Sequence, residues 1–86
     1  MTRTLESLYR DAGNDATTNA YDAARDVKVT DIAEYLAAQG FDDPVYWAEH
    51  AMSSAEEMGR IVGNEVTFEI AARNTPSGRH PLHVTI

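Results

Sequence analysis

The chain has 86 residues, of which 43% are hydrophobic and 24% charged, a composition that excludes the disordered class and allows one compact core. It contains no cysteine, which excludes disulfides and thiolate zinc sites, and no apolar run of a secretory signal, so we expect a cytoplasmic protein. The net charge is −7, and it is uneven: positions 1–59 hold twelve acidic and four basic residues, whereas positions 60–86 carry a net +1.

The first elements along the chain are predicted as two helices separated by a polar turn. Residues 3–12 place apolar side chains at helical spacing, and Gly13 follows where a helix C-cap glycine belongs. The polar residues 14–18 predict a turn, and the alanine-rich residues 20–27 predict a second helix. Because residues 27–29 alternate as Val-Lys-Val, they fit an extended strand equally well, so the conformation of residues 14–29 stays open.

A third helix is predicted from residue 30 to about residue 39. Asp31 and Glu34 have capping-box spacing in front of an apolar stripe. Gly40 suits the left-handed position after a helix, and Phe41 can fold back on Leu36 to complete a Schellman-type stop. The pattern therefore predicts a short helix with a sharp end.

The next segment predicts another helix that ends at residues 63–64. Asp43 is placed as its N-cap and Pro44 as its first residue. A break after residues 53–54 is an alternative, because two serines followed by two glutamates are also a helix-start signal.

The C-terminal segment predicts a β-hairpin, since its apolar residues recur with a period of two. Residues 65–72 pair with residues 79–86 across a type I turn at 75–78, and Pro81 makes the second strand an edge strand. We therefore predict an α+β fold of three to four short helices followed by an antiparallel hairpin. The chain is predicted to be one domain, residues 1–86, with an acidic helical part (1–63) and the hairpin (64–86).

No constellation in the sequence predicts catalysis. His80 and His83 are three residues apart, which places them on opposite faces of a strand, and no neighbouring carboxylate completes a metal site. Phosphate-binding loops and nucleophile motifs do not occur. We therefore expect a protein that is not an enzyme and uses no cofactor and no metal.

Helices followed by a hairpin are also the order of a winged helix-turn-helix, in which residues 31–52 would supply the helix pair and residues 77–80 the wing tip. The second helix of such a pair normally enters the DNA major groove with basic and amide side chains. Here that region is acidic, so direct nucleic-acid binding and anionic membranes are not expected. The alternative interpretation is a winged-helix-like adaptor, or a dimerising regulatory or antitoxin-type domain.

The acidic residues of the same helix favour binding to a basic protein surface. They span about 22 Å of helix, a length over which one DNA strand carries six or seven phosphates. Tyr46 lies among them as a candidate aromatic anchor. The predicted partner-binding residues are Asp42, Asp43, Tyr46, Glu49, Glu56 and Glu57.

In size, charge and lack of catalytic residues, the chain resembles small phage-encoded inhibitors of host defence, the anti-CRISPR and anti-restriction proteins that mimic DNA. The resemblance implies an inhibitor that masks the basic nucleic-acid-binding surface of a CRISPR or restriction complex. It implies no cofactor, and a place in the host cytoplasm if the chain is phage-encoded. We expect a monomer or a homodimer.

Overall fold

The computed structural model describes residues 3–13 and 15–86, with the backbone alone for residues 15 and 16. Three α-helices precede a three-stranded antiparallel sheet of order β1-β2-β3, so the predicted α+β class is confirmed. The elements in chain order are α1 (Leu5–Arg10), α2 (Asp15–Ala38), α3 (Pro44–Met58), β1 (Ile61–Val62), β2 (Glu65–Ile70), a 3₁₀ turn (Ala72–Asn74) and β3 (Leu82–Thr85).

One continuous helix of 24 residues, α2, takes the place of the turn and two short helices expected between residues 14 and 39. Of the expected polar turn, Asn14 lies outside the described residues, and residues 15–18 form the first turn of α2. The helix continues through the β-branched residues Val27, Val29 and Thr30 because no glycine or proline interrupts it and Val29 is buried in the core. The Thr30 hydroxyl donates to the Asp26 carbonyl at 3.0 Å, as it can only within a helix.

The end of α2 follows the predicted Schellman pattern. Gly40 has a φ of +94°, and the amide of Phe41 donates to the Leu36 carbonyl at 3.2 Å. Phe41 and Leu36 are both buried, which is the apolar contact that normally accompanies this motif. Asp43 and Pro44 then start α3 as predicted, although the Asp43 side chain makes no capping hydrogen bond.

The helical region ends five residues earlier than the expected boundary at residue 63. Gly59, with a φ of +66°, ends α3, and Ile61–Val62 form β1, which pairs with the start of β2. The glycine and asparagine at 63–64 form the turn between these strands, and Gly63 has a φ of +60°, which suits the first central position of a type II′ turn. The expected helix end is therefore a hairpin turn.

The predicted antiparallel pairing of the C-terminal strands is confirmed, but the strands are shorter than predicted: residues 71–72 and 79–81 lie outside them, and a 3₁₀ turn begins at Ala72. β2 pairs antiparallel with β3, and Phe68 lies opposite Val84. The amide of Gly78 donates to the Thr75 carbonyl at 3.0 Å, which closes the predicted turn. Because β2 lies between β1 and β3, β3 is an edge strand, as the position of Pro81 predicts.

One cluster of buried apolar side chains lies between the helices and one face of the sheet. Ile32 and Leu36 of α2 and Met52 of α3 have no exposed surface, and Phe68 and Val66 contribute the sheet side. On the opposite face of the sheet, polar side chains pair across β2 and β3. This arrangement leaves the outer sides of α2 and α3 open to solvent.

Candidate protein-binding surface

The structure divides the six residues predicted to bind a partner into two groups. Asp42 and Asp43 lie exposed in the turn between α2 and α3, and Tyr46 and Glu57 lie exposed on α3. Glu49 and Glu56 lie on the side of α3 that faces α2, and the side chain of Glu56 is only 18% exposed. The predicted acidic face is therefore not continuous along α3.

Arg25, on α2, joins Glu49 and Glu56 to the opposite helix. Its Nη1 lies 2.9 Å from Glu49 Oε2, and its Nε lies 3.2 Å from Glu56 Oε2. A third contact runs from Nη2 to the Ser53 hydroxyl at 3.2 Å. The Tyr21 hydroxyl donates to the same Glu56 carboxylate. These residues form what we call the Arg25 cluster: Tyr21, Arg25, Glu49, Ser53 and Glu56.

Burial and hydrogen bonding shift the pKa values of two members of the Arg25 cluster. Burial raises the pKa of Tyr21 above its ordinary range, and the hydrogen bond to the Glu56 carboxylate raises it further. Burial lowers the pKa of Arg25, but the hydrogen bonds to Glu49 and Glu56 outweigh this, and the net shift of the Arg25 pKa is upward. The cluster is therefore held as a neutral phenol, a guanidinium and two carboxylate partners.

Tyr46 lies on the exposed side of α3 and is restrained by neighbouring rings, as expected for an aromatic anchor. Its side chain is 58% exposed on α3, and its ring packs edge-on against Trp47 with centroids 5.2 Å apart. Trp47 in turn packs against the buried ring of Phe41 at 6.3 Å. This row of rings restrains Tyr46 while leaving much of its surface available to another molecule.

Four further carboxylates of α2 are exposed, although not all on one side of the helix, and sequence reasoning did not include them in the site. They have no ion-pair partner among the described residues. The first and last are twelve residues apart, which is about 18 Å along the helix. The sequence did not place these four carboxylates on one helix, because residues 20–27 and 30–39 were predicted as separate helices and the conformation of residues 14–29 was left open. These residues are Asp22, Asp26, Asp31 and Glu34.

Together with the three unpaired carboxylates around α3, these four define what we call the acidic surface. Its members are Asp22, Asp26, Asp31, Glu34, Asp42, Asp43 and Glu57.

The cations of the described residues do not neutralise the acidic surface. Arg10 forms an ion pair with Glu6 at 2.8 Å, Arg3 forms one with Asp11, and Lys28 donates to the Ile86 carbonyl at 3.1 Å. The remaining arginines, at positions 60, 73 and 79, all follow α3 in the chain. No described cation forms an ion pair with a member of the acidic surface, and Arg73 lines the same cleft as Asp42 and Asp43.

The described side chains form no arrangement typical of a catalytic or metal site. His83 Nδ1 lies 3.0 Å from Glu69 Oε2 on the solvent face of the sheet, and this pair has no third partner. Among residues 3–13 and 15–86, no group of three or more His, Asp or Glu side chains is placed to hold a metal ion. A cleft of about 540 Å³ beside Asp42 and Asp43 is also lined by Trp47 and Arg73, and it is open and polar.

Comparisons with known proteins give no match to this chain, whether the search is made against family models, curated proteins or solved structures. Within the described part of the chain, no helix has both the length and the apolar character that crossing a membrane requires.

Proposed function

We propose that the protein is a small non-catalytic inhibitor that binds the basic nucleic-acid-binding surface of another protein, such as a CRISPR or restriction complex, and masks it. The acidic surface carries this proposal. It presents seven unpaired carboxylates on one helical pair and the turn that joins its helices. Such an inhibitor would act in the cytoplasm, of the host cell if the chain is phage-encoded.

The physical basis is competition for the same cations. A basic groove that binds DNA gains most of its affinity from Lys and Arg contacts to phosphates. Carboxylates accept charge-assisted hydrogen bonds from the same side chains. Because Asp22, Asp26 and Glu34 lie within about 120° of arc and over about 18 Å of α2, these three can engage several cations of such a groove at once. Tyr46 adds a large, partly restrained apolar contact of the kind that dominates many interfaces.

The Arg25 cluster supports the proposal by fixing the spacing of the two helices. Glu49 and Glu56 are held by Arg25 across the helix pair at 2.9 and 3.2 Å, so their role in the proposal is structural. Fixing the helices before binding lowers the conformational entropy that a partner must overcome. The contact set of this proposal is the acidic surface and Tyr46.

The test is competition with duplex DNA for a purified CRISPR surveillance complex or restriction nuclease. The wild-type chain should displace DNA at moderate salt, and each of Asp43→Lys and Glu57→Lys should weaken displacement at least about tenfold. The triple variant Asp42→Lys, Asp43→Lys, Glu57→Lys should not displace DNA, while its thermal midpoint changes little. The matched control is Glu65→Lys, which reverses an exposed, unpaired carboxylate on the sheet and should displace DNA like the wild type.

Equal displacement by the wild type and the triple variant would contradict the proposal. So would a wild-type chain that itself retards duplex DNA in a gel, because the acidic surface should repel phosphates.

A second candidate function is a dimerising regulatory or antitoxin-type domain, or a winged-helix-like adaptor. The order of three helices followed by an antiparallel sheet favours it, because that order places a hairpin beside the helix pair. In this case the partner would contact apolar residues and the sheet edge, and the acidity would serve solubility. Binding of its partner by the triple variant would favour this candidate.

A further inference from the structure

The outer edge of β3 presents main-chain hydrogen-bonding groups that no described residue satisfies. Val66 and Ile86 exchange two hydrogen bonds, of 2.7 and 2.9 Å, so these residues form a hydrogen-bonded pair of the antiparallel ladder. Such pairs alternate along a ladder, so the N–H and C=O groups of Leu82 and Val84 also point toward β2. Those of His83 and Thr85 then point away from the sheet. No described residue bonds to them.

We propose that this edge pairs with β3 of a second copy of the chain. The two strands would run antiparallel about a two-fold axis at Val84 and join two three-stranded sheets into one of six strands. This inference does not depend on the proposed function. It involves main-chain hydrogen bonds of β3, and no residue of β3 belongs to the acidic surface.

The register of this pairing is fixed by the free groups themselves. Only His83 and Thr85 offer outward N–H and C=O groups within β3, so the antiparallel register that uses all of them places His83 of one copy opposite Thr85 of the other. That register gives four main-chain hydrogen bonds, two on each side of the axis. Pro81, which has no N–H, precedes the paired segment and limits its length.

The side chains are self-complementary in the same register. On the core face, Val84 meets Val84 of the second copy, and Leu82 meets Ile86; these apolar residues are only partly buried in the single chain. On the solvent face, two existing cross-strand pairs continue outward: Thr67 with Thr85 at 2.9 Å, and Glu69 with His83 at 3.0 Å. In the paired sheet, each row of side chains across the axis would consist of Thr67 and Thr85 of one copy followed by His83 and Glu69 of the other. No two like charges would then lie side by side.

Charge favours a second copy at this edge over other parts of the surface. β3 contains no carboxylate, and positions 60–86 carry a net +1, whereas positions 1–59 carry −8. Two copies that met through the acidic surface would repel each other strongly. At the β3 edge, this highly acidic chain can therefore approach its own copy without bringing carboxylates together.

The test is sedimentation of the purified chain over a concentration series. The wild type should show a species of twice the chain mass of 9.5 kDa as concentration rises. Thr85→Pro should remain at the single-chain mass, because proline removes the outward N–H of Thr85 while the ladder to β2 does not use that N–H. The matched control Thr85→Ala keeps the N–H and should associate within about threefold of the wild type.

Amide hydrogen exchange measures the same event at single residues. The amides of His83 and Thr85 should become more protected as the wild-type concentration rises, while the amide of Val84 stays protected at every concentration. Protection of Val84 in Thr85→Pro shows that the β2–β3 pairing remains intact. A wild type that stays at the single-chain mass throughout would overturn the proposal, and so would a Thr85→Pro variant that still doubles in mass with its fold intact. A chain that binds only an unrelated extended peptide at this edge would also overturn it.

Discussion

The helix pair α2–α3 and the hairpin β2–β3 are held together by different forces. Across the helix pair, polar side chains connect the two helices: Arg25 binds two carboxylates of α3, and Tyr21 donates a hydrogen bond to one of them. Across the hairpin, the backbone ladder provides the pairing, and two cross-strand side-chain pairs, Thr67 with Thr85 and Glu69 with His83, lie on the solvent face. Beyond the core that they share, the first region also depends on matching charges, and the second on matching register.

Each region also leaves a different excess exposed. The helices have more carboxylates than the nearby cations can pair, so α2 and α3 present surplus negative charge. The sheet is open, with β1 and β3 as its two edge strands, and β3 presents unpaired main-chain groups. The two surfaces therefore suit different partners. The acidic surface suits a basic protein surface, and binding to it should weaken with salt, whereas the β3 edge suits another strand, whose binding should be nearly independent of salt.

The largest expected effect concerns the core that both regions share. Phe68 lies on the central strand and is 2% exposed in the cluster that also buries α2 and α3. Phe68→Ala should lower the free energy of unfolding by about 3–5 kcal/mol, a large part of the total for a chain of this size. Denaturant titration followed by far-UV circular dichroism and by fluorescence of Trp47 should show one common transition at a lower midpoint.

The matched control is Val62→Ala in the same sheet, where the side chain is 69% exposed and the change should stay within about 0.5 kcal/mol. If the far-UV circular dichroism midpoint does not change in Phe68→Ala, the helices and the sheet do not fold as one unit. They would then be two independently folding regions.

The next effect isolates the charge matching of the helix pair. Arg25→Met should lower the free energy of unfolding by about 1–3 kcal/mol, because it leaves the partly buried Glu56 without its cation. Arg25→Lys should recover only part of the loss, since an ammonium cannot contact both carboxylates as the guanidinium does. Urea titration of the three proteins measures the difference.

Arg10→Met is the control for the Arg25 variants. The Arg10 side chain is 74% exposed and pairs with Glu6 one helical turn away, so its removal should cost no more than about 0.5 kcal/mol. Equal losses for Arg10→Met and Arg25→Met would mean that the Arg25 cluster contributes no more than an ordinary surface ion pair.

Local signals predicted those parts of the fold whose determinants are close in sequence. The stop at Gly40 needs only Leu36 and Phe41 nearby, and the alternation of Val66, Phe68 and Ile70 specifies one buried face of a strand. β1 could not be found in this way. It has two residues, and its pairing depends on Gly59 rather than Gly63 ending the preceding helix.

The continuity of α2 was missed because a charged residue belongs to its buried stripe. Tyr21, Arg25, Val29, Ile32 and Leu36 follow one another at spacings of four, four, three and four, a regular helical face. A search for apolar periodicity skips Arg25 and therefore sees two shorter patterns.

The partners of Arg25 lie 24 and 31 residues away in the sequence. Their pairing depends on how α2 and α3 pack, so no local signal distinguishes Glu49 and Glu56 from the exposed Glu57. The sequence therefore gives the number of carboxylates in the helices but does not show which of them are free to contact a partner.

The smallest expected effect is a pH dependence that originates in the same helix pair. The pKa of Tyr21 is raised in the folded chain by burial and by its hydrogen bond to Glu56, whereas an unfolded tyrosine titrates near pH 10. Between these two pKa values the unfolded chain releases a proton that the folded chain retains. The stabilisation is therefore complete below pH 10 and is lost as the pH rises above it, by at most about 1.4 kcal/mol per pH unit.

Urea titrations at several pH values from 8 to 11 measure this slope. Tyr21→Phe should be less stable than the wild type at pH 8, because the Glu56 carboxylate loses a donor, and its stability should fall less steeply above pH 10. Tyr46→Phe, which changes an exposed phenol on α3 outside the Arg25 cluster, is the control variant. An unchanged alkaline slope in Tyr21→Phe would show that Tyr21 titrates alike in the folded and unfolded chain. The Arg25 cluster would then hold the helices by its ion pairs alone.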